Sequence, residues 1–282
     1  MTTALVTDST AYLSADLATR HGVRVVPLHV IVGGREYAEG VDIAPNEVAT
    51  ALRSFTPVTT SRPSPQAFLD AYSAAAQAGA DAVVSVHVSA DMSSTVGSAQ
   101  LAAARAPVPV TVVDSRVMGM AMGTAVLSGC EAAAGGADAA TVAAVVSKRC
   151  AGSMIVFYVD TLEFLRRGGR IGKAGALLGS ALAIKPILAL RDGHIMPVEK
   201  VRTSTRAIAR LEELTVEAGE AAGSGVDVAV HHLDSADRAE RLADRVRGRL
   251  TRAGEVSVVE LGAVVGAHVG PGTLAVAVVP RP

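Results

Sequence analysis

Hydroxyl groups gather where a sheet would present them. Residues 7–10, 59–65, 89–95 and 114–115 are rich in Ser, Thr and Asp, and most follow a stretch that reads as a strand. Ligands of open α/β sheets bind just beyond such strand ends. A lone imidazole, His268, stands between glycines in the apolar run 261–279. A third group is basic: Arg166, Arg167 and Arg170 in "RRGGRIG", then Lys200 and Arg202 in "EKVRTSTR". A hydrolase needs a nucleophile, a base and an orienting acid, and the spacing shows no such set. Several hydroxyls with one imidazole suit a carboxylate or a phosphate instead, whose lone pairs take several donors. No His-x-x-x-His, cysteine pair or acidic cluster has ligand spacing, so no metal is expected.

Each group also has a plainer reading. His268 could be a core histidine bonded to a backbone carbonyl. Ser64 and Pro65 could simply start a helix, and Ser93 and Thr95 could be N-caps, although cap hydroxyls with free N–H groups also make an anion site. "RRGGRIG" lacks the strand and the GKS or GKT ending of a P-loop, and a solvated basic corner accounts for its charge. Two such corners could also receive a phosphate-handling partner. Asp8, after the first strand, opens an alternative: a self-contained, magnesium-dependent phosphohydrolase or phosphotransferase. Against it, Ser9 and Thr10 follow and no second Asp stands two positions on, so Asp8 is expected to cap a turn or orient hydroxyls.

These groups must be carried by a chain of 282 residues, enough for two domains. Half of it is hydrophobic, 3% is aromatic and Trp is absent, so Ala, Val, Leu and Ile must build the core. A net charge of -1 and few aromatic platforms argue against nucleic acid or an anionic membrane as partner. Cys130 and Cys150 read as buried thiols of a reducing cytosol. The N-terminus lacks a basic leader and opens directly on a strand, and the apolar stretch 174–190 is broken by Lys185 and Pro186, so a soluble cytoplasmic protein is expected.

β-branched runs at 4–7, 23–32, 82–88 and 110–114 alternate with helical patterns at 65–79, near 93–95, at 119–134 and at 137–150, the mark of a largely parallel sheet. A strand at 153–159, a short helix ended by Gly168 and Gly169, and a hairpin at Asp192-Gly193 come next. Then follow a helix at 203–222, a strand at 226–232, a helix at 235–252 and a strand at 256–261. Two α/β domains are expected, residues 1–160 and 161–282, packed with a cleft between them.

Seven segments in order and spacing resemble the DegV family of bacterial fatty-acid-binding proteins: "VTDSTAYL", "TTSRPSPQAF", "VSADMSSTVGSAQLAA", "VVDSRVMGMAMG", "LEFLRRGGRI", "KPILALRDGHIMPVEKVRT" and "GAVVGAHVGPGTLAVA". The resemblance covers essentially the whole chain. It implies a two-domain α/β architecture, with a Rossmann-like, mostly parallel N-terminal sheet and a C-terminal α/β domain. One long-chain fatty acid, such as palmitate or oleate, would be enclosed at the domain interface. Its carboxylate would be held by Thr60 and Ser61, by Ser93 with Ser94 beside it, and by His268. The chain would have no catalysis and no cofactor of its own. It would present the carboxylate to a separate subunit resembling dihydroxyacetone kinase, which supplies ATP and magnesium and makes an acyl phosphate for phospholipid synthesis. Arg170 and Arg202 would face that kinase or the transferred phosphoryl group. A carrier of some other amphiphile is a further alternative. The chain departs from the family pattern at Ser94, where glycine is usual, at Val96 and at Arg62; a positive φ at position 94 would strain the serine.

Overall fold

The computed structural model describes residues 2–177 and 184–281. Two compact units divide the chain, Met1–His29 with Ser61–Gly152 and Val30–Thr60 with Ser153–Pro282. A single cut near residue 160 does not describe them. Residues 30–60 go with the second unit because their helix, Pro45–Arg53, packs on the helix Ala263–Val269.

In the first unit the strands Arg24–Val26, Thr3–Asp8, Ala82–His87 and Val110–Asp114 lie side by side, all parallel. Ala82–His87 is buried at every position, as a central parallel strand must be when helices cover both faces. The helix Pro65–Gln77 sets Phe68, Tyr72 and Ala75 against Val6, Val26 and Val83. It starts where the sequence indicated, with the Ser64 hydroxyl accepting from the Ala67 N–H at 3.2 Å and Pro65 at the first position. The helices Met120–Ala134 and Ala139–Gly152 cover the other side. They approach closely at Gly129, where a Cβ would lie 2.7 Å from Val146 and 2.8 Å from Leu5.

The expected strand 23–32 is in fact two. Arg24–Val26 joins the parallel sheet, while His29–Val32 pairs within a three-stranded sheet with Arg35–Ala38 and Val58–Ser61. Pro27, lacking an N–H, interrupts the ladder between them.

The second unit is built on a six-stranded sheet, in the order His194–Val201, Lys185–Arg191, Met154–Tyr158, Leu274–Pro280, Val226–His232, Ala253–Glu260. Only the last two neighbours run parallel, joined through the helix Ala236–Arg249. That helix and Ser204–Ala221 bury Leu242, Val246 and Leu211 on the sheet. Asp192 and Gly193, at φ 50 and 81, make the tight hairpin turn that their types predict. Among the described residues no helix is long and apolar enough to cross a membrane; residues 178–183 of the apolar stretch noted above lie outside them.

At the carboxyl edge of the parallel sheet, Asp8 caps a turn as expected and does more. Its Oδ1 accepts from the Thr10 N–H at 3.0 Å and the Thr10 hydroxyl at 2.6 Å. Its Oδ2 accepts from the Val88 N–H at 3.0 Å and from His87 Nδ1 at 3.1 Å. The Tyr72 hydroxyl donates to Ser85 at 2.9 Å, and Ser85 Oγ lies 2.7 Å from His87 Nε2. Ser85, His87 and Asp8 thus line up in the order of a hydrolase triad. All three, with Tyr72, are 0% exposed. Substrate cannot reach this serine, and four donors already fill the Asp8 oxygens, so the phosphohydrolase alternative loses its nucleophile. The chain of bonds ties the turn after the first strand to the turn after the third. Asp8→Ala, which leaves several buried donors unpaired, is expected to lower unfolding stability in urea by about 3–5 kcal/mol. A loss below about 1 kcal/mol would contradict this role.

Candidate functional site

An open pocket of about 440 Å³ lies wholly within the second unit. Thr59 and Thr60, Phe55, Phe164, Arg167, Arg170 and His268 are among its lining residues. Three local structures supply them.

The helix Glu163–Arg167 ends at Gly168 and Gly169. The two glycines have different jobs. Gly169 holds φ 69, and the N–H groups of Gly169 and Arg170 bond back to the carbonyls of Arg166 at 3.1 Å and Leu165 at 2.9 Å. This left-handed closure turns Arg170 back toward the pocket. Gly168 has an ordinary φ of -75, but a Cβ there would overlap Nδ1 of His268. Glycine is required at that position by space alone.

His268 sits in the last turn of the helix Ala263–Val269. Its Nε2 lies 2.9 Å from the hydroxyl of Thr60, on the strand Val58–Ser61. Its Nδ1 is buried against Gly168 and has no hydrogen-bond partner. Burial pushes the imidazole down to about 4, and the nearby Arg170 guanidinium pushes the same way. The ring is therefore neutral at pH 7. The core-histidine reading, with a backbone carbonyl as partner, is not what the structure shows: the partner is a hydroxyl that lines a pocket.

Glu163 holds Arg166 and Arg167 by ion pairs of 2.7 and 2.6 Å, and the two guanidiniums bring its carboxyl down to about 2. The third wall is aromatic. Phe55 follows the helix Pro45–Arg53 at φ 55 and is 83% exposed. A left-handed backbone at a bulky residue is unfavourable by roughly 1–2 kcal/mol, and glycine is the usual solution there. The sequence pattern singles out neither Phe55 nor Phe164, and it points to Gly168 only as a helix end.

The remaining site candidates are not among the residues that line this pocket. Arg202 is exposed in the turn before the helix Ser204–Ala221 and is not among the pocket's lining residues. Ser61 ends the Thr60 strand. Ser93 and Ser94 belong to the first unit. The Ser93 hydroxyl bonds that of Thr95 at 2.8 Å, and its N–H donates to the Ser89 carbonyl at 3.0 Å. Ser94 precedes the helix Thr95–Ala103 with φ -74, so the serine is unstrained where the family usually has glycine. Arg62 donates to the Ser98 hydroxyl of that helix at 3.1 Å. Among the described residues, no group of His, Cys, Asp and Glu could hold a metal ion.

The arrangement sets an imidazole, a hydroxyl and a guanidinium beside apolar walls, donor types that a carboxylate or phosphate accepts from. Comparison with known proteins agrees in fold and sequence. A DegV domain-containing protein of Streptomyces coelicolor is 51% identical over 99% of this chain and 98% of its own. A fatty-acid-binding DegV family protein from Thermus thermophilus superposes with a TM-score of 0.94 at 36% identity, over the full length of both chains. DegV of Bacillus subtilis, described as a fatty acid binding protein, follows with a TM-score of 0.91 and 29% identity over both full lengths. The model of the DegV family matches residues 2–281, and the chain belongs to that family.

Proposed function

We propose that the protein binds a long-chain fatty acid, such as palmitate or oleate, with the carboxylate at the Thr60–His268 pair. The observation that carries this reading is the sealed side of the ring. With Nδ1 closed off by Gly168, a proton there would be a buried donor without an acceptor, and such orphan N–H groups are rare. The tautomer with the proton on Nε2 avoids it. That N–H donates to the Thr60 oxygen when the pocket is empty, which leaves the threonine's own proton to point at an incoming anion. A carboxylate of ordinary pKa is ionised at pH 7 and needs no base to become a ligand or a nucleophile. Arg170 adds charge at the same mouth.

Energetics divide the labour. Burying the tail is worth roughly 0.8 kcal/mol per CH₂, so a palmitoyl chain dominates affinity. Hydrogen bonds to a charged head add about 1.5–3 kcal/mol each, which fixes orientation more than it sets binding. The exposed Phe55 and the nearby Phe164 offer apolar surface for the first methylenes. Ser61, Ser93 and Ser94 are proposed as further carboxylate donors on the family resemblance. On the same basis the protein works in the cytoplasm without catalysis. It would present the head to a kinase subunit resembling dihydroxyacetone kinase, with ATP and magnesium on that subunit and an acyl phosphate for phospholipid synthesis as product. Arg170 and Arg202 would then face the partner or the phosphoryl group. The two fatty-acid-binding relatives support the ligand class.

Organic extraction of the purified protein, followed by mass spectrometry, should recover about one fatty acid per chain; recovery of none, with no thermal protection by added palmitate or oleate, would overturn the reading. Thr60→Val should weaken palmitate binding by about tenfold without abolishing it. Arg202→Ala, which leaves the pocket lining untouched, should retain lipid while slowing acyl phosphate formation with the kinase. Gly168→Ala should displace the ring, shift its NMR resonances and lower stability by about 1–3 kcal/mol, and unchanged resonances would show that the ring is not sealed.

Acid should loosen the fold in a defined window. His268 and His231, both held near 4 by burial, lie below the unfolded value of 6.5. The unfolded chain therefore takes up protons first, and stability is lost as pH falls from about 6.5 to 4. His268→Gln should flatten that slope. A bound carboxylate should raise the His268 titration midpoint, as read by NMR; an unmoved midpoint would place the head elsewhere.

A further inference from the structure

The structure assigns to Glu39 the role of positioning residue for His268, an inference that rests on the carboxylate-binding reading above. Glu39, only 5% exposed, directly follows the strand Arg35–Ala38 and forms a bridge with Ile43. It accepts a hydrogen bond at Oε1 from the N–H of Val264 at 2.8 Å, across 225 residues of chain. Val264 is the second residue of the helix Ala263–Val269, and the residue before that helix, Gly262, offers no side-chain cap. Glu39 therefore supplies from afar the acceptor that Ser, Thr, Asp or Asn usually supplies locally.

The consequence reaches His268 because the helix is too short to hold itself. Seven residues are marginal as an isolated helix, so its position is set by what it touches. Val264 and His268 are four residues apart and lie one turn above the other on the same face. A Cβ at Gly266 would lie 3.1 Å from Leu233, and one at Gly270, which has φ 78, would overlap the ring of Phe164. The helix is thus clamped on its flank and at its end by shape, while Glu39 fixes the N-terminal turn by a hydrogen bond. Gly40, at φ 75, lets the chain turn directly after Glu39. The bridge Glu39–Ile43 leads from there into the helix Pro45–Arg53, which packs on the His268 helix.

A double-mutant cycle tests this in the full chain, with palmitate as probe. Glu39→Ala is expected to weaken palmitate binding about tenfold in the native background and by less than about twofold when His268 is already Ala. Glu39→Gln, which keeps an oxygen acceptor for the Val264 N–H, should restore most of the affinity and also covers the case in which Glu39→Ala fails to fold. The ¹⁵N resonances of the His268 ring in lipid-free protein should move in Glu39→Ala and return toward native in Glu39→Gln. Equal losses of affinity in both backgrounds, or unmoved ring resonances, would overturn the role. Should the native chain not bind palmitate, the fatty-acid reading fails, while the ring resonances still decide whether Glu39 holds His268.

Discussion

One side of an imidazole decides what the other side can do. Because Gly168 closes off Nδ1 of His268, the ring has a single usable nitrogen, and that nitrogen points at Thr60 in the pocket. Burial keeps the ring neutral, so it serves as an oriented dipole rather than a charge. Much of the second unit can be understood as support for this contact. The left-handed Gly169 brings Arg170 round, the short helix carries the ring, and Glu39 pins the helix at its start.

The first unit contains a contrasting polar device. Tyr72, Ser85, His87, Asp8 and Thr10 form a continuous buried chain in which each donor finds an acceptor. Its resemblance to a hydrolase triad is one of order, and access is what separates the two. A catalytic serine must meet solvent or substrate, whereas this one accepts from a tyrosine beneath a phenylalanine ring that meets His87 edge-on at 4.8 Å. The same residue types therefore make a catalyst or a brace depending on exposure. Here the brace joins the two turns that follow the central strands.

Local chemistry was legible where it was local. Ser64-Pro65 announced a helix start and Asp192-Gly193 a hairpin, since each depends on its own backbone preferences. Pro27 carried the information that 23–32 is two strands, although β-branched runs on both sides hid it. The region 33–58 offered no cap signal for the helix Pro45–Arg53, because Ala44 precedes it and Glu47 closes back on the Ala44 N–H. Long-range partners were out of reach. Asp8 and His87 are 79 residues apart, and Glu39 and Val264 are 225 apart, so no spacing rule connects them. The pairing of Thr60 with His268, across 208 residues, entered only through family resemblance, and its chemical sense lies in Gly168, which sequence reading took for a helix stop.

The central claim concerns where an acyl head rests. A crystal structure of the protein loaded with palmitate addresses it directly. The account predicts a carboxylate oxygen within about 3 Å of the Thr60 hydroxyl or of His268 Nε2, with Nδ1 still covered by Gly168. A carboxylate resolved away from both groups, with the Thr60–His268 bond undisturbed, would contradict it.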